Sequence, residues 1–359
     1  MRKLLSGVMI GIATLTLGVI PATAQDDFYA GKDLNIIVGL SAGGNSDLLI
    51  RSIARYLERH IPGNPTIVIQ NLPGAGGLRA TNHVYELSEP DGLTLYFGPF
   101  DPLAQALELE EFRGRYEEFG FVGGIADVRI SQVRRDVVPG GMERPADIVK
   151  ATNPILVGDL NATSPAGILA RMSLDVMGVP NTFVSGYSGG SDVYAAILRN
   201  EVHMQNVSLS TWRTRSVDFI ESGEGMGLWY FVPVADDGSY RTNPNLEDLQ
   251  AFPDVYKEVH GKMPEGPMWE ALNWYTNQIG ELTFVTLAPP GVPEDRLQIL
   301  QNAFAAAMKD PEFVEEGIRA NGVPHSYIDA ATGQAIFKSL ADTDPSVLQT
   351  MVEVIEAAN

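Results

Sequence analysis

The sequence contains no cysteine among its 359 residues. This absence excludes disulfide bonds, thiol chemistry, zinc sites of the cysteine type and a lipid anchor on cysteine. Basic residues are also scarce, because 25 Lys and Arg stand against 45 Asp and Glu, which gives a formal net charge of −20. A surface this acidic repels nucleic acid and anionic lipid, so neither is expected as a partner.

Recognisable metal and cofactor motifs are missing as well. The histidines lack the close spacing of metal ligands, so surface or packing roles are expected for them. They are His60, His83, His203, His260 and His325. The cluster Gly74-Ala-Gly-Gly77 lacks the third glycine of a dinucleotide fingerprint and the lysine of a P-loop. The sequence therefore predicts neither a bound metal nor a cofactor.

Residues 1–24 have the organisation of a secretory signal peptide. The basic pair Arg2 and Lys3 precedes an apolar run over residues 4–20, and Ala22-Thr-Ala24 is a small-residue cleavage site. An uncleaved membrane anchor is the alternative, but the Pro21 break and the small-residue ending favour cleavage near Ala24. No later apolar run is long enough to span a bilayer. We therefore expect an exported protein that does not insert into the membrane after cleavage.

Two stretches that follow the signal peptide share one pattern. An apolar run at residues 34–40 breaks at Ser41-Ala-Gly-Gly44 and resumes as a helical pattern over residues 47–60. A second apolar run at residues 66–70 ends at Pro73-Gly-Ala-Gly-Gly77, before another helix-compatible segment. Glycine allows close approach of the backbone to a ligand, and a helix N-terminus offers unpaired N–H groups. Each stretch predicts a strand, a loop and a helix that can contribute to an anion site; ordinary turn chemistry is the alternative for the glycines.

The alternation of strand and helix patterns continues along most of the chain. It is typical of an α/β protein, and the chain length favours two domains around a cleft. We expect residues 25–125 to form the first part of domain 1 and residues 126–243 to form domain 2. Residues 244–359 should return to domain 1 with C-terminal helices, which could pack across both domains. Within this last part, the proline-containing stretch 246–274 predicts short helices and loops.

Short motifs occur in a fixed order along the chain. They are Ala42-Gly43-Gly44-x-x-Asp47, Asn71-x-Pro73-Gly74-Ala75-Gly76-Gly77, Pro90-Asp91-Gly92-x-Thr94-Leu95 and Ala288-Pro289-x-Gly291-Val292-Pro293. Each motif alone has low specificity, but together and in this order they form a specific pattern. By these motifs the chain resembles the periplasmic substrate-binding proteins of tripartite tricarboxylate transporters, the Bug family. The resemblance covers most of the sequence after the signal peptide.

The resemblance implies a two-domain clamp of the periplasmic-binding-protein type, also called a venus flytrap. Each domain would be a mostly parallel sheet flanked by helices, with the ligand cleft between the domains. The implied function is to capture a small carboxylate-containing ligand in the periplasm and deliver it to the integral-membrane permease subunits of a tripartite tricarboxylate transporter. Such a protein is not an enzyme, and we expect a monomer.

The resemblance also implies that the first two loops grip one carboxylate of the ligand through backbone amides, hydroxyl groups and ordered water. The corresponding residues are Ser41, Ala42, Gly43, Gly44, Asn45, Ser46, Asp47, Pro73, Gly74, Ala75, Gly76 and Gly77. Asp47 cannot itself attract a carboxylate. Its expected roles are to cap the helix or to order loop amides or water, and contact with a ligand amine is the alternative.

The distal wall of the cleft should come from domain 2, by analogy with the family. The loops at residues 158–165 and 185–191 supply the candidates Asn161, Thr163, Ser164, Tyr187 and Ser188. The first of these loops departs from the family, in which it is commonly glycine-rich and followed by a histidine. Because of this departure the sequence does not define the distal group of the ligand. Simple loop or capping roles are the alternative for these residues.

Two other functions are consistent with parts of the sequence. The same clamp could belong to an exported sensor that signals to a membrane partner. The segment Gly186-Tyr-Ser188-Gly-Gly190 also fits the nucleophile elbow of serine hydrolases, in which Ser188 would be the nucleophile. A hydrolase would further need one of the later histidines as its base, and none of them has a recognisable setting. In a chain with 36 glycines, such a short pattern is readily matched by chance.

Overall fold

The computed structural model describes residues 28–187, 189–235 and 237–358. The predicted signal peptide, the side chain of Asn45 and the whole of Ser188 lie outside the described part of the chain. None of the helices in the described ranges is long and apolar enough to cross a membrane.

Strands and helices alternate along the described chain, as the sequence pattern predicts. The strands are β1 (Asp33–Val38), β2 (Thr66–Asn71), β3 (Thr94–Pro99), β4 (Gly120–Ala126), β5 (Arg129–Arg134), β6 (Ile155–Gly158), β7 (Asn181–Val184), β8 (Met204–Ser208), β9 (Gly225–Tyr230), β10 (Phe284–Ala288) and β11 (Ser326–Ile328). The α-helices are α1 (Asn45–His60), α2 (Leu78–Leu87), α3 (Pro102–Ala106), α4 (Pro165–Met177), α5 (Gly190–Leu198), α6 (Leu209–Thr214), α7 (Val217–Glu221), α8 (Phe252–His260), α9 (Pro267–Glu281), α10 (Glu294–Met308), α11 (Pro311–Asn321), α12 (Ala330–Ser339) and α13 (Pro345–Glu356).

The first sheet has the strand order β11-β4-β10-β3-β1-β2. Strand β1 lies between β2 and β3 and is parallel to both, so that Ile36 pairs with Ile69 on one side and with Leu95 on the other. In these three strands the sheet is parallel, as the resemblance implies for most of each sheet. The remaining neighbours, β3 with β10, β10 with β4 and β4 with β11, are antiparallel.

The second sheet has the order β7-β6-β8-β5-β9. Strand β6 is parallel to β7 and β8, whereas β5 is antiparallel to β8 and β9. Both sheets are therefore mixed, and the prediction of a mostly parallel sheet in each domain is wrong. The reason lies in the crossings between the sheets. Arg129, the first residue of β5, pairs with Ser208, the last residue of β8, so the entering strand runs opposite to its neighbour.

The chain connects the two sheets through two segments. It leaves the first sheet after Ala126 and enters the second at Arg129, and it returns to β10 after β9 through α8 and α9. The stretch predicted as short helices and loops contains α8 and the first half of α9, which is longer than expected, with 15 residues. Pro267 is compatible with α9 because it occupies the first turn, where a missing N–H removes no helical hydrogen bond. The domain boundaries themselves stay a prediction.

Each sheet is packed on both faces by apolar side chains. On the first sheet, Ile36 packs toward α1 and α10, and Tyr96 belongs to the cluster on the opposite face with α2 and α12. On the second sheet, the cluster on one face includes Met172 of α4 and Tyr275 of α9, and Val193 of α5 contributes to another. This layering confirms the α/β class and fixes the strand ends from which the loops of the site emerge.

A first prediction concerns the contact between β4 and α10. A Cβ added to Gly123 would lie 2.3 Å from the ring of Phe304, which is fully buried. We expect Gly123→Ala to lower the free energy of unfolding by about 1–3 kcal/mol, because the ring has to move within a packed core. Chemical denaturation measures this change. Gly190→Ala is the control, because its added methyl would meet no atom within 4 Å; equal stability of the two variants would contradict the prediction.

Candidate functional site

The predicted loops lie at the carboxyl ends of parallel strands in both sheets. Strands β1 and β2 lead into residues 39–44 and 72–74, and β6 and β7 lead into residues 159–164 and 185–189. Ligands of open α/β sheets bind at such strand ends. A Cβ added to Gly76 would lie 3.7 Å from the side-chain nitrogen of Asn161, so the second loop of the first sheet faces the first loop of the second sheet. The candidate site is the cleft between these loops.

The carboxylate of Asp47 is buried and connects the first two loops. Its Oδ2 accepts hydrogen bonds from the backbone N–H of Gly43 at 2.8 Å and from Nε of Arg51 at 2.9 Å, and its Oδ1 accepts one from Nδ2 of Asn71 at 3.0 Å. Asn71 also donates to the carbonyl of Leu40 at 2.9 Å. The side chain of Asp47 thus orders loop amides, as one of its two expected roles requires, and it is not free for a ligand.

These contacts determine the charge of Asp47. Burial raises its pKa, but the hydrogen bonds from Arg51, Gly43 and Asn71 outweigh this effect and hold the pKa below the usual range. The carboxylate therefore stays ionised at neutral pH. Its negative charge is compensated within the protein by Arg51 and does not have to be compensated by a ligand.

Helix α1 begins directly after the first loop without a side-chain cap. Its N-cap is Gly44, which has no side chain that could accept from the first-turn N–H groups. N–H groups at such a helix start are suited to binding an anion. Ser41, Ala42 and Gly43 are exposed, whereas Ser46 is buried beneath the loop. The exposed part of the loop therefore offers mainly uncharged backbone groups, as expected for a loop that binds a carboxylate through backbone amides.

The second loop has an unusual backbone. Gly74, Ala75, Gly76 and Gly77 all have positive φ, at 144°, 47°, 64° and 111°. Gly77 is buried against Tyr96, whose hydroxyl a Cβ would approach to 3.0 Å, and it is the N-cap of α2 without a side-chain cap. Turn geometry therefore explains Gly77. Pro73, Gly74 and Ala75 are exposed at the mouth of the cleft, where their backbone can meet a ligand.

The loop at residues 159–164, called the distal loop below, is held in place by hydrogen bonds among its own residues. Asp159 is buried and accepts hydrogen bonds from the hydroxyl of Ser164 and from the N–H of Leu160, the latter at 2.8 Å. The side-chain oxygen of Asn161 accepts from the N–H and the hydroxyl of Thr163 at 3.1 and 3.0 Å. The hydroxyls of Thr163 and Ser164 therefore form hydrogen bonds within the loop. The amide nitrogen of Asn161 is the group that faces the opposite loop.

Arg171 on α4 supports this loop, and the sequence analysis missed it. Its guanidinium donates to the carbonyls of Ala162 and Val354, both at 2.6 Å, and lies over the ring of Phe183 at 4.5 Å. Burial lowers the pKa of Arg171. The signal available in the sequence was a lone charged residue in the largely apolar helical stretch 168–174. Arg171 joins the distal loop to the C-terminal helix α13.

Tyr187 and the histidines after Ser188 are the residues on which the hydrolase alternative depends. Tyr187 is partly buried against the cluster that contains Val193. Nδ1 of His203 accepts a hydrogen bond from the N–H of Leu156 at 3.0 Å, and burial lowers its pKa. The ring of His260 packs against Tyr256 and that of His325 against Phe313. These packing contacts give the hydrolase alternative no support. In the described ranges, no group of three or more acidic, histidine or cysteine side chains could hold a metal ion.

Comparison with known sequences gives distant relatives. No family model matches the chain. A UPF0065 protein of Bordetella pertussis is 25% identical over 322 residues, which are 87% of this chain and 87% of that protein. Protein BugT of the same organism is 32% identical over 157 residues, which are 44% of this chain and 41% of BugT.

Comparison with solved structures identifies the fold. The periplasmic binding protein BugD has a TM-score of 0.65 at 20% identity and covers 91% of this chain and 98% of its own. MatC from Rhodopseudomonas palustris with bound malate has a TM-score of 0.64 at 17% identity, with 90% and 99% covered. Another protein of that organism, with adipate, has a TM-score of 0.67 at 19% identity, with 91% and 97% covered. The fold is that of the two-domain periplasmic binding proteins. The sequence and structure similarities together confirm the resemblance to the Bug family.

A second prediction follows from the contacts of Asp47. We expect Asp47→Asn to lower the free energy of unfolding by about 1–3 kcal/mol, because the amide cannot accept from all the buried donors. A depressed folded-state pKa contributes stability above the unfolded pKa, near 3.9, and this stability is lost as the pH falls through the folded pKa. The difference from wild type should therefore be full at neutral pH and shrink below a pH of about 4.

Denaturant titrations across this pH range test the prediction. Glu58→Gln is the matched control, because it removes the same charge from an exposed position of α1. A difference in stability that is absent at neutral pH, or that does not change with pH, would show that Asp47 does not hold the loops.

Proposed function

We propose that this chain is a solute-binding protein that captures a small carboxylate-containing ligand. The observation that carries the proposal is the pair of glycine-bearing loops after β1 and β2. Asp47 and Asn71 tie these loops together, and α1 begins directly after the first loop with the N-cap Gly44, which has no side chain to cap the helix. Asn161 faces the loops from the second sheet. A ligand bound by both sides would stabilise the closed arrangement of the sheets.

The chemistry of the grip favours a carboxylate. Backbone N–H groups at a helix N-terminus bind anions without a basic side chain. The acidic protein as a whole repels anions, so local donors have to supply the attraction. Structures of similar fold with malate and with adipate support this choice of ligand class.

The proposal extends to the cellular role. The protein is exported to the periplasm, acts there as a monomer and delivers its ligand to the membrane subunits of a tripartite tricarboxylate-type transporter, without catalysing a reaction. The resemblance to Bug-type proteins supports this role. Closure is a hinge motion between the domains at residues 25–125 and 126–243, with residues 244–359 returning to domain 1.

A third prediction tests the ligand class. A ligand present at 100 times its dissociation constant stabilises the folded state by about 2.7 kcal/mol, which raises the melting temperature of a chain of this size by roughly 4 °C. We expect at least one compound from a panel of mono-, di- and tricarboxylates and aromatic acids to give such a rise. The corresponding amides, which lack the charge, serve as controls. If no acid in the panel raises the melting temperature, the proposed function is wrong.

A fourth prediction tests the site. We expect Gly76→Ala to weaken binding of the acid identified by this screen by about tenfold, because the methyl group points across the cleft toward Asn161. Isothermal titration measures the affinity. Gly178→Ala is the matched control, since Gly178 has a similar φ of 74° but no atom within 4 Å of the added Cβ. Its affinity should equal that of wild type; equal weakening in both variants would indicate general strain and would contradict the placement of the site.

A further inference from the structure

A cavity of about 170 Å³ lies where the chain passes between the two sheets. It is lined by both connecting segments: residues 127–129 of the first, and residues 230–233, Thr276, Ile279 and Gly280 of the second, which also supplies Arg241 and Asn243. We call it the hinge cavity. Its volume is several times the share of one water molecule in liquid water, about 30 Å³. The cavity can therefore accept a small organic group.

Arg129, in the wall of this cavity, is a partly buried arginine whose charge acts on Asp127 and Asp159 but whose side chain is in hydrogen-bond or ion-pair distance of none of the described residues. Its Nε is buried and makes no hydrogen bond, and its guanidinium forms no ion pair with any residue in the described ranges. Several other arginines of this acidic protein have carboxylate partners, such as Arg213 with Asp248 at 2.8 Å. A buried donor without a partner is costly and indicates that a bound group or water completes its contacts.

The charges in the cavity wall favour an anion. Arg129 and Arg241 contribute two positive charges, and neither has an ion pair among the residues that the structure describes. Asp127 is the acidic side chain in the wall, and its Oδ1 accepts a hydrogen bond from the N–H of Leu209 at 3.3 Å. Two guanidinium groups against one carboxylate leave the wall positive in a protein with a net charge of −20.

The wall of the cavity also includes Leu169 of α4, the helix that directly follows the distal loop of the candidate site. In that loop, burial raises the pKa of Asp159, and the positive charge of Arg129 is among the effects that oppose this rise. The same charge acts on the hydroxyl of Tyr275, which is buried and hydrogen-bonded to none of the described residues. The positive charge in the hinge cavity therefore acts on groups at the distal loop.

From these observations we infer that the hinge cavity is an anion subsite in which Arg129 binds a carboxylate group. The carboxylate bound by Arg129 is the second one of the captured ligand, whose first carboxylate is held by the loops after β1 and β2. In this form the inference rests on the proposed function and narrows the ligand to a dicarboxylate. Arginine suits this role because its planar fork can donate two parallel hydrogen bonds to one carboxylate.

The test is the substitution Arg129→Gln, with affinities measured by isothermal titration for malate, adipate and monocarboxylates of matched chain length. We expect affinity for at least one dicarboxylate to fall by about ten- to a hundredfold, and affinity for monocarboxylates to stay unchanged. The melting temperature of the free variant is measured as well, because the charge of Arg129 acts on the buried Asp127 and Asp159 and its loss can lower stability without a ligand. Arg129→Lys should restore part of the affinity, since it keeps the charge.

Arg199→Gln is the matched control. It removes the same charge from an exposed ion pair with Glu201, and it should bind all the acids as wild type does. A second experiment uses the small anions sulfate and acetate. It follows the melting temperature of the protein with and without a saturating dicarboxylate. Stabilisation that adds to that of the dicarboxylate and disappears in Arg129→Gln would support the same subsite with a separate small anion as its source.

The inference is overturned if Arg129→Gln changes neither dicarboxylate affinity nor stabilisation by sulfate or acetate, or if it weakens mono- and dicarboxylates equally. It is also overturned if the wild-type protein responds to none of these anions. Absence of any carboxylate binding to wild type would reject the proposed function, while the sulfate arm would still decide whether the cavity binds an anion. The failures of the two proposals are thus distinguishable.

Discussion

The buried carboxylate of Asp47 is the interaction on which the candidate site depends. It receives hydrogen bonds from the first loop, from the end of β2 through Asn71 and from α1 through Arg51. These bonds fix the two glycine-bearing loops relative to each other, so that their backbone donors do not have to be ordered when a ligand binds. A negative charge thereby supports a site for anions, because it is neutralised by Arg51 and screened by the donors around it.

The distal side of the cleft is built on the same principle. Asp159 and Asn161 use their oxygens within the loop, and Arg171 connects the loop to α13. Polar side chains that look like ligand contacts in the sequence are thus mainly structural. In our proposal, the backbone grip holds one carboxylate without a cation and the arginine at the hinge holds another. With this division of roles, the loops would select ligands that have a carboxylate, and the arginine would select those long enough to place a second carboxylate in the hinge cavity.

Much of the fold could be predicted from the sequence, because local patterns determine it. Strand β1, helix α1 and strand β2 begin and end close to the bounds set by their apolar patterns and by the glycine and proline segments between them. The direction of β5 and β10 could not be predicted, because it follows from where the chain crosses between the sheets. Strand β11 has only three residues and no detectable alternation. The roles of Arg129 and Arg171 depend on whether each has a partner in space, which no sequence pattern records.

In our proposal, backbone groups of the two loops after β1 and β2 bind a carboxylate in the cleft. A crystal structure of the protein with a dicarboxylate such as malate or adipate is the decisive measurement. We expect carboxylate oxygens within hydrogen-bond distance, about 2.7–3.2 Å, of backbone N–H groups in residues 43–47 or 74–77. A ligand bound elsewhere, or one whose carboxylate is held only by side chains outside these loops, would contradict it.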